Sequence, residues 1–477
     1  MTSRLGQFVL FGGPYVGEAA SPILRKPAIG GSGTVAQSTL PFPSIVSVPL
    51  SIPRFWLRFG WLLPLLGATA APLAPPPDFA GLYRDMPALT VDTRREGDSL
   101  RLYLDLPAPA RLGPGHALRV ALWPGYEARA PLWQDSIARL HQNPRPTPDG
   151  GLRLSFCLAA AQLPAGAVLQ ITTAPADIKD DYQAPGTTAW LRLTEATLTR
   201  PFVLTDSTGQ PLARRYVRTG ETFGVEGYGL LQPVRWKRYA VNPLPALPPM
   251  TNAAAMPAGP RLLPVLDSAE ARPGQPLRFA ESGLYALRVG GVGGIVPRTL
   301  AVLVASNAYP DLSTAAELIE PLRYLTTTQE RQRLTNAPDP KRAVDKFWLD
   351  IAQGNQRLGK ELIKNYYGRV TAANQLFAAH KAGWLTDRGL LYVVLGPPPS
   401  VRRLTNGEER WYYPDGGPSG RPITYTFRPR PSTFAPDYYE LVRRPEYELL
   451  WYAAVEKWRT PPTALTGPNV PGDLPAR

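Results

Sequence analysis

The period of the hydrophobic pattern changes once along this 477-residue chain, and that change constrains the fold more than any other feature. From about residue 80 to 308, apolar residues alternate with polar ones, which indicates strands with one face on a core and one in water. From residue 311 the apolar residues recur every three or four positions, which indicates helices. The sequence therefore predicts a mainly β N-terminal part followed by an α+β C-terminal domain.

The β part is predicted to contain two antiparallel immunoglobulin-like sandwiches, residues 78–199 and 200–308. Alternation is clearest in the first, where leucine recurs at Leu100, Leu102 and Leu104. In the second, the stretch 282–289 resembles the corner of such sandwiches, where a tyrosine, here Tyr285, binds the backbone. The stretch 242–264 is dense in proline and alanine, which predicts a mobile loop.

Composition excludes several classes of function. Of the 477 residues 56 are proline, more than twice the usual share of about 5%, which disfavours long helical bundles. The net charge of +14 is spread as arginine doublets without a basic tract, so we predict no nucleic-acid partner. The single Cys157 excludes an intrachain disulfide and a cysteine-based metal site. The three histidines have no metal-spaced neighbour, so we predict no metal and no cofactor.

Residues 54–70 have the pattern of a signal peptide. A basic start is followed by a short apolar run, and Ala68-Thr69-Ala70 supplies the small residues that a signal peptidase reads. The run is shorter than the ~20 residues that cross a bilayer, which predicts a mature chain without a transmembrane span. We expect a linker at 71–77 and export to the periplasm or cell envelope. Residues 1–53 are either a start assigned too early or a disordered extension, and in the second case the apolar run would be an anchor that is never cut.

The C-terminal domain, predicted over 311–460, contains the most distinctive local motif. A helix with an apolar stripe ending at Phe377 leads to a short polar segment, and a strand is predicted at 390–395 before a Gly-Pro turn. A loose tail is expected at 461–477. The motif residues with expected structural roles are Gly383, Trp384, Thr386, Asp387, Gly389, Gly396 and Pro397.

Together these residues resemble the signature of the GWxTD-domain proteins, an exported bacterial family without an established activity. Stretches on both sides extend the resemblance over about 311–460: 321–326, 345–348, 366–370, 411–414, 437–441 and 451–459. The chain departs from the pattern at Pro399-Ser400, where such proteins usually carry an acidic residue. The resemblance implies an exported protein and supplies no mechanism.

Two functions remain open from the residues. The first is a non-catalytic envelope protein whose β domains are spacers and whose C-terminal domain binds a protein partner or an envelope polymer. Its candidate binding residues are Arg388, Arg410, Tyr412 and Arg443, which lie among many aromatic residues. The second is an exported hydrolase that uses Asp387, His380 and Thr386, provided that His380 and Asp387 come within hydrogen-bonding reach. If Asp387 only fixes a turn, Asp387→Asn should cost on the order of 1 kcal/mol.

Overall fold

A computed structural model describes residues 77–460, except 85–88, 107–115, 138–143, 148–149, 176–187, 213, 230–231, 242–243, 253–262, 291–295, 297 and 415–421. The predicted extension (1–53), signal peptide (54–70) and tail (461–477) lie outside the described residues. So does the predicted linker, apart from Pro77.

The first β region forms two antiparallel four-stranded sheets, ordered β1-β2-β6-β5 and β4-β3-β7-β8. Its strands are β1 Thr90–Glu96, β2 Ser99–Leu106, β3 His116–Trp123, β4 Trp133–Ile137, β5 Arg145–Pro146, β6 Leu152–Ala159, β7 Val168–Pro175 and β8 Thr188–Arg192. Every second residue of β2 is buried, as the alternation predicts. The buried residues of β2 are leucines, and they share one hydrophobic cluster with Leu118 and Leu122 of β3, so the core lies between the two sheets. Two short helices flank the region, α1 Gly81–Arg84 and α2 Glu195–Thr199.

The second β region contains a five-stranded sheet ordered β10-β16-β15-β12-β13 and a three-stranded sheet ordered β14-β11-β9. Its strands are β9 Phe202–Thr205, β10 Tyr216–Arg218, β11 Thr222–Gly227, β12 Val234–Tyr239, β13 Val265–Ala271, β14 Leu277–Arg278, β15 Gly283–Val289 and β16 Arg298–Ala305. The hydroxyl of Tyr285 donates to the carbonyl oxygen of Glu281 at 3.0 Å, which confirms the predicted tyrosine corner. The expectation of purely antiparallel pairing is wrong at one edge, where β10 runs parallel to β16. The strand before β10 in the chain is β9, which belongs to the other sheet. No hairpin therefore joins β10 to its partner β16, and antiparallel pairing is not imposed.

The C-terminal region combines helices with one antiparallel sheet ordered β17-β18-β19-β20. Its elements are α3 Ala315–Ile319, α4 Thr328–Thr335, α5 Pro340–Ile351, α6 Gln356–Phe377, α7 Asp387–Leu395, β17 Ser400–Arg403, β18 Glu409–Tyr413, β19 Ile423–Pro429, β20 Tyr439–Leu441 and α8 Glu448–Arg459. The predicted capping box at α4 is confirmed: Thr327 and Glu330 each bind the other's backbone N–H. Asp339 caps α5, which has proline at its first position.

The prediction of a strand at 390–395 is wrong, because these residues belong to helix α7. Thr386 caps this helix through its side chain, and residues 390–394 are all buried. A short helix that is buried on every side shows no amphipathic period, so its sequence cannot be told from a buried strand. The motif is therefore a corner between two helices, α6 and α7.

Two segments from the β part lie against the C-terminal core. Residues 78–84, which the sequence places at the start of the first β region, contribute Phe79 and Tyr83 to the C-terminal hydrophobic cluster. Residues 244–252, expected as part of a mobile loop, contribute the buried Ala246 to the same cluster. Residues 253–262 of that predicted loop lie outside the described residues. The C-terminal core is thus completed by chain from outside its own helices and strands.

Candidate functional site at the signature corner

Two glycines form the corner between α6 and α7. A Cβ atom at Gly383 would lie 1.9 Å from the carbonyl oxygen of Ala373, and one at Gly389 would lie 2.0 Å from the carbonyl oxygen of Gly383. Since these distances lie far inside van der Waals contact, no other residue fits without moving the backbone. The glycines therefore set how closely the two helices approach.

The hydroxyl of Thr386 is used entirely within the corner. It donates to the carbonyl oxygen of Gly383 at 2.7 Å and accepts from the backbone N–H of Gly389 at 3.1 Å. The side chain is buried. This is the arrangement of a helix N-cap, in which the hydroxyl oxygen satisfies a backbone donor of the first turn.

Trp384 fills the seam between the helices. Its ring packs edge-on against Tyr324, with the ring centroids 5.8 Å apart. The Tyr324 hydroxyl donates to the Trp384 carbonyl oxygen at 2.8 Å, and the Trp384 N–H donates to the side-chain oxygen of Asn374 at 3.3 Å. The aromatic ring and its backbone are thereby both held.

Asp387 is the most constrained polar group of the corner. Asp387 is only 3% exposed, and its carboxylate accepts a hydrogen bond from the backbone N–H of Leu441 at 2.7 Å. Arg443 completes a two-point ion pair, with N–O distances of 2.5 Å and 3.3 Å. The first turn of α7 also favours a negative charge at this position. The structure thus brings together Asp387 and Arg443, a pairing that their separation in the sequence does not suggest.

His380 does not join this group. Its ring packs edge-on against Tyr438 at a centroid distance of 4.7 Å, and the bonds that hold Asp387 come from Leu441 and Arg443. Burial, together with the charge of Lys381, lowers the pKa of His380 to about 4. The pair that a hydrolase would need is not formed in the described structure.

The other candidate binding residues lie apart. Arg388 is largely buried, with its guanidinium over the ring of Tyr439 at 4.4 Å. Arg410 is 40% exposed and lies 3.5 Å from Glu408, while Tyr412 is half-buried beneath Arg402. Arg388, Arg410 and Tyr412 therefore do not share one exposed surface with Arg443.

Gly396 ends helix α7 with a φ of +92°, a conformation that favours glycine. Its carbonyl oxygen accepts the hydroxyl of Tyr413 at 2.7 Å, which ties the helix end to strand β18. Arg369 donates to the last carbonyls of the helix, those of Val393 and Val394, at 3.3 Å each. Pro397 follows and prevents the helix from continuing.

This corner lies inside residues 283–460, which match the family model described as "GWxTD domain". The chain contains a GWxTD domain. The match begins earlier than the resemblance at 311–460, at the first residue of β15. The added stretch includes Tyr309, whose hydroxyl donates to the Asn374 carbonyl oxygen at 3.1 Å and accepts the Gly383 N–H at 3.4 Å.

Known structures add little to the family assignment. Similar solved structures include the full ectodomain of mouse nectin-like molecule 4 (Ig1–Ig3), at 14% identity over 47% of this chain and 66% of that one, with a TM-score of 0.15. The chain therefore spans just under two thirds of that ectodomain. Others are Dpr11 IG1 bound to DIP-gamma IG+IG2 (10% identity, 46% and 96% coverage, TM-score 0.13) and titin A168169 (13% identity, 46% and 96% coverage, TM-score 0.12). No curated protein matches the chain at a significant level.

A second buried carboxylate lies in the GWxTD domain, and it was not among the residues predicted from the sequence. Glu409 is fully buried and accepts from Arg403 at 2.9 Å, from the Tyr83 hydroxyl at 2.7 Å and from the Trp411 ring N–H at 2.8 Å. Burial alone would raise its pKa, but Arg403, Arg388 and these hydrogen bonds hold the pKa below its usual value. The available signal was a carboxylate in a strand, two residues before the aromatic stretch 411–413.

The GWxTD domain also carries a shallow groove of about 360 Å³ between α3, α5 and α6. Leu318, Val344 and Ile363 line its floor, and the Lys341–Asp345 ion pair lies at its rim. Among the described residues, no helix is both long and apolar enough to cross a membrane.

Proposed function

We propose that this chain is a non-catalytic, exported envelope protein whose GWxTD domain binds a protein partner or an envelope polymer. The two β regions, as immunoglobulin-like sandwiches, serve as spacers. The observation that supports this proposal most is the internal use of the signature's polar groups. Thr386 caps a helix and Asp387 is held by Arg443 and a backbone N–H, so neither is left for a substrate.

The same geometry disfavours the hydrolase alternative. A general base works best when its pKa is near the operating pH, and the pKa of His380 is about 4. Thr386, the hydroxyl next to Asp387, already donates its proton to the carbonyl oxygen of Gly383. A nucleophile in this position would have to break its cap before it could react.

Export and location belong to the same proposal. The pattern over 54–70 supports cleavage near Ala71 and a periplasmic or envelope location, and the dispersed charge supports a partner other than nucleic acid. N-terminal sequencing of protein recovered from the native host tests this. A chain that starts at Met1 and stays in the cytoplasm would contradict it.

The binding function is tested by crosslinking in intact envelopes with the full mature chain, followed by identification of the crosslinked molecule. A matched control carries Gly383→Ala, which should unfold the GWxTD domain while leaving the first β region in place. We expect a reproducible crosslinked species with the native chain and none with the control. Equal crosslinking by both chains would mean that the GWxTD domain is not the binding module.

A folded Asp387→Asn variant provides the test against the hydrolase. If this variant lost a biological activity while its melting temperature stayed unchanged, the hydrolase would replace the binding module. We expect activity and melting temperature to fall together.

A further inference from the structure

The segment 244–250 lies across the signature corner as an extended strap. It has neither helix nor strand structure, and three of its seven residues are proline: Pro245, Pro248 and Pro249. Its buried residues are Ala246 and Pro249. Leu244 and Leu247 each precede a proline, which favours extended backbone at these positions. The chain then turns at 249–250, where the N–H of Thr251 donates to the carbonyl oxygen of Pro248 at 3.1 Å.

The strap is bound through its main chain. Lys381 donates to the carbonyl oxygen of Leu244 at 3.1 Å, and Arg443 donates to that of Leu247 at 3.2 Å. The backbone N–H of Arg444 donates to the carbonyl oxygen of Pro249 at 3.1 Å. In the other direction, the N–H of Ala246 donates to the carbonyl oxygen of Leu385, within the signature, at 2.9 Å.

The strap acts mainly as a hydrogen-bond acceptor in these four bonds, and this favours a particular kind of segment in the groove. Three use a carbonyl of the strap as acceptor, and one uses an N–H as donor, at Ala246. Proline has a carbonyl but no N–H. At positions 245, 248 and 249 the groove uses no N–H of the strap, so proline at these positions costs no hydrogen bond. The groove formed by Lys381, Leu385, Arg443 and Arg444 is therefore suited to an extended, proline-rich main chain.

Charge points to the same class of occupant. Lys381 is buried to 7% exposure, and burial lowers the pKa of its ammonium group. The hydrogen-bond acceptor that the structure gives it is the Leu244 carbonyl. The carboxylates of Asp387 and Glu440 act against this lowering, and the strap carbonyl supplies the hydrogen-bond acceptor that a cation withdrawn from water needs.

We propose that this groove is a recognition site for an extended, proline-rich segment of a partner protein, and that residues 244–250 occupy it in cis. The inference rests on the proposed binding function and names the chemistry of the partner: a proline-rich polypeptide, and not an envelope polymer. Within the strap, Leu244 and Pro248 are exposed, and Ala246 and Pro249 are buried. A competing segment with the same pattern of carbonyls and one N–H would take over the four main-chain bonds.

The test uses the full chain and a fluorescent peptide with the sequence of residues 242–252. In one variant the strap 244–250 is replaced by seven Gly and Ser residues, which vacates the groove without changing its four groups. A tethered segment acts at an effective concentration on the order of 1 mM, so a peptide with an intrinsic Kd of about 0.1 mM should bind the native chain about tenfold more weakly than the variant. Fluorescence anisotropy measures both affinities.

A matched peptide with N-methylalanine at position 246 loses only the N–H that donates to Leu385. We expect it to bind the strap-replaced chain about fivefold more weakly than the parent peptide, as the loss of one hydrogen bond implies. If the strap-replaced chain fails to fold, Ala246→Pro in the full chain serves instead, because it removes the same N–H from the tethered strap. The parent peptide should then bind Ala246→Pro more tightly than it binds the native chain.

The absence of peptide binding to a folded strap-replaced or Ala246→Pro chain would overturn the inference, as would equal binding of the parent and N-methylated peptides. Such a result would leave the proposed function standing, since envelope crosslinking tests that function separately. Conversely, if the peptide bound but crosslinking in envelopes found no partner, the groove would be supported as a peptide site and the proposed function would be contradicted.

Discussion

The two buried carboxylates of the GWxTD domain are paired in different ways. Asp387 lies at a corner that neighbouring residues build, with glycines on both sides and a threonine cap directly before it. Glu409 is held by two near neighbours, Arg403 and Trp411, and by Tyr83, which lies 326 positions away. Both are buried and both face an arginine, Arg443 for one and Arg403 for the other.

The difference shows how a buried charge can be encoded. At Asp387 a local motif prepares the site, so the position stands out in the sequence even without its partner. At Glu409 the ion pair is local, since Arg403 faces it across the β17–β18 pair, and the distant Tyr83 completes the site, but no motif marks the position. In both places the pairing explains why a charge can be buried, because an unpaired buried carboxylate would cost several kcal/mol.

The largest expected effect is at the corner itself. Gly383→Ala should destabilise the GWxTD domain by at least about 4 kcal/mol, because its Cβ would lie 1.9 Å from the Ala373 carbonyl oxygen. Gly368→Ala within helix α6 is the control: nothing lies within 4 Å of its Cβ, and it should stabilise by about 0.5–1 kcal/mol. Denaturant unfolding measures both. Equal effects of the two substitutions would show that the close approach does not determine the corner.

Next comes Glu409, the carboxylate that Tyr83 also binds. Glu409→Gln should cost about 3–4 kcal/mol, because Arg403 would remain buried without its charge partner. Glu440→Gln removes an exposed pair with Arg430 and should cost less than about 1 kcal/mol. If the two variants had the same melting temperature, the Glu409 centre would not hold residues 78–84 against the GWxTD domain.

At the locally encoded carboxylate the expected effect is smaller. Asp387→Asn should cost about 2–3 kcal/mol, since Arg443 keeps a neutral acceptor and other contacts with backbone carbonyls. This is more than the 1 kcal/mol expected for a turn hydrogen bond, because the sequence does not show the buried arginine. Asp350→Asn, an exposed helix position, should change stability by less than about 0.5 kcal/mol. Thermal unfolding would contradict the comparison if Asp387→Asn cost more than Glu409→Gln.

The smallest effect concerns a carboxylate that is only partly buried. The hydrogen bond from Arg459 lowers the pKa of Glu330 from 4.5 to about 2. Since the folded pKa lies below the ordinary value, this pair stabilises the fold above pH 4.5 and loses its contribution as the pH falls towards 2. With about a third of each side chain exposed, the contribution should stay below about 1 kcal/mol. The difference in melting temperature between the native chain and Glu330→Gln should vanish near pH 2; a difference independent of pH would contradict the pairing.

Several elements of the fold could be predicted because their signals are local. The alternation at Leu100, Leu102 and Leu104 indicated a strand, and the Thr327–Glu330 capping box indicated a helix start. Helix α7 could not be predicted, because burial on all sides removes the amphipathic pattern that separates a helix from a strand. The parallel pairing of β10 also gave no signal, since pairing direction depends on where the chain crosses between sheets.

The candidate site shows the same division. The sequence singled out Asp387 and Arg443 separately, but not that they form one buried ion pair. It placed His380 near Asp387 on proximity in the chain alone, whereas the ring packs against Tyr438. Contacts between residues more than fifty positions apart depend on how α7, β20 and the strap meet, and no local pattern carries that information.

By itself, the sequence determined the order of the β and α+β parts, the helix caps and the signature glycines. Each of these depends on neighbouring residues: a two-residue or 3.6-residue period, a side chain that reaches its own backbone, or a position without space for a Cβ atom. Only the tertiary structure decided that Tyr83 would meet Glu409, that Arg443 would meet Asp387, and that residues 244–250 would lie across the signature. The physical reason is that buried charges and buried carbonyls need partners, and folding can supply these partners from any distance along the sequence.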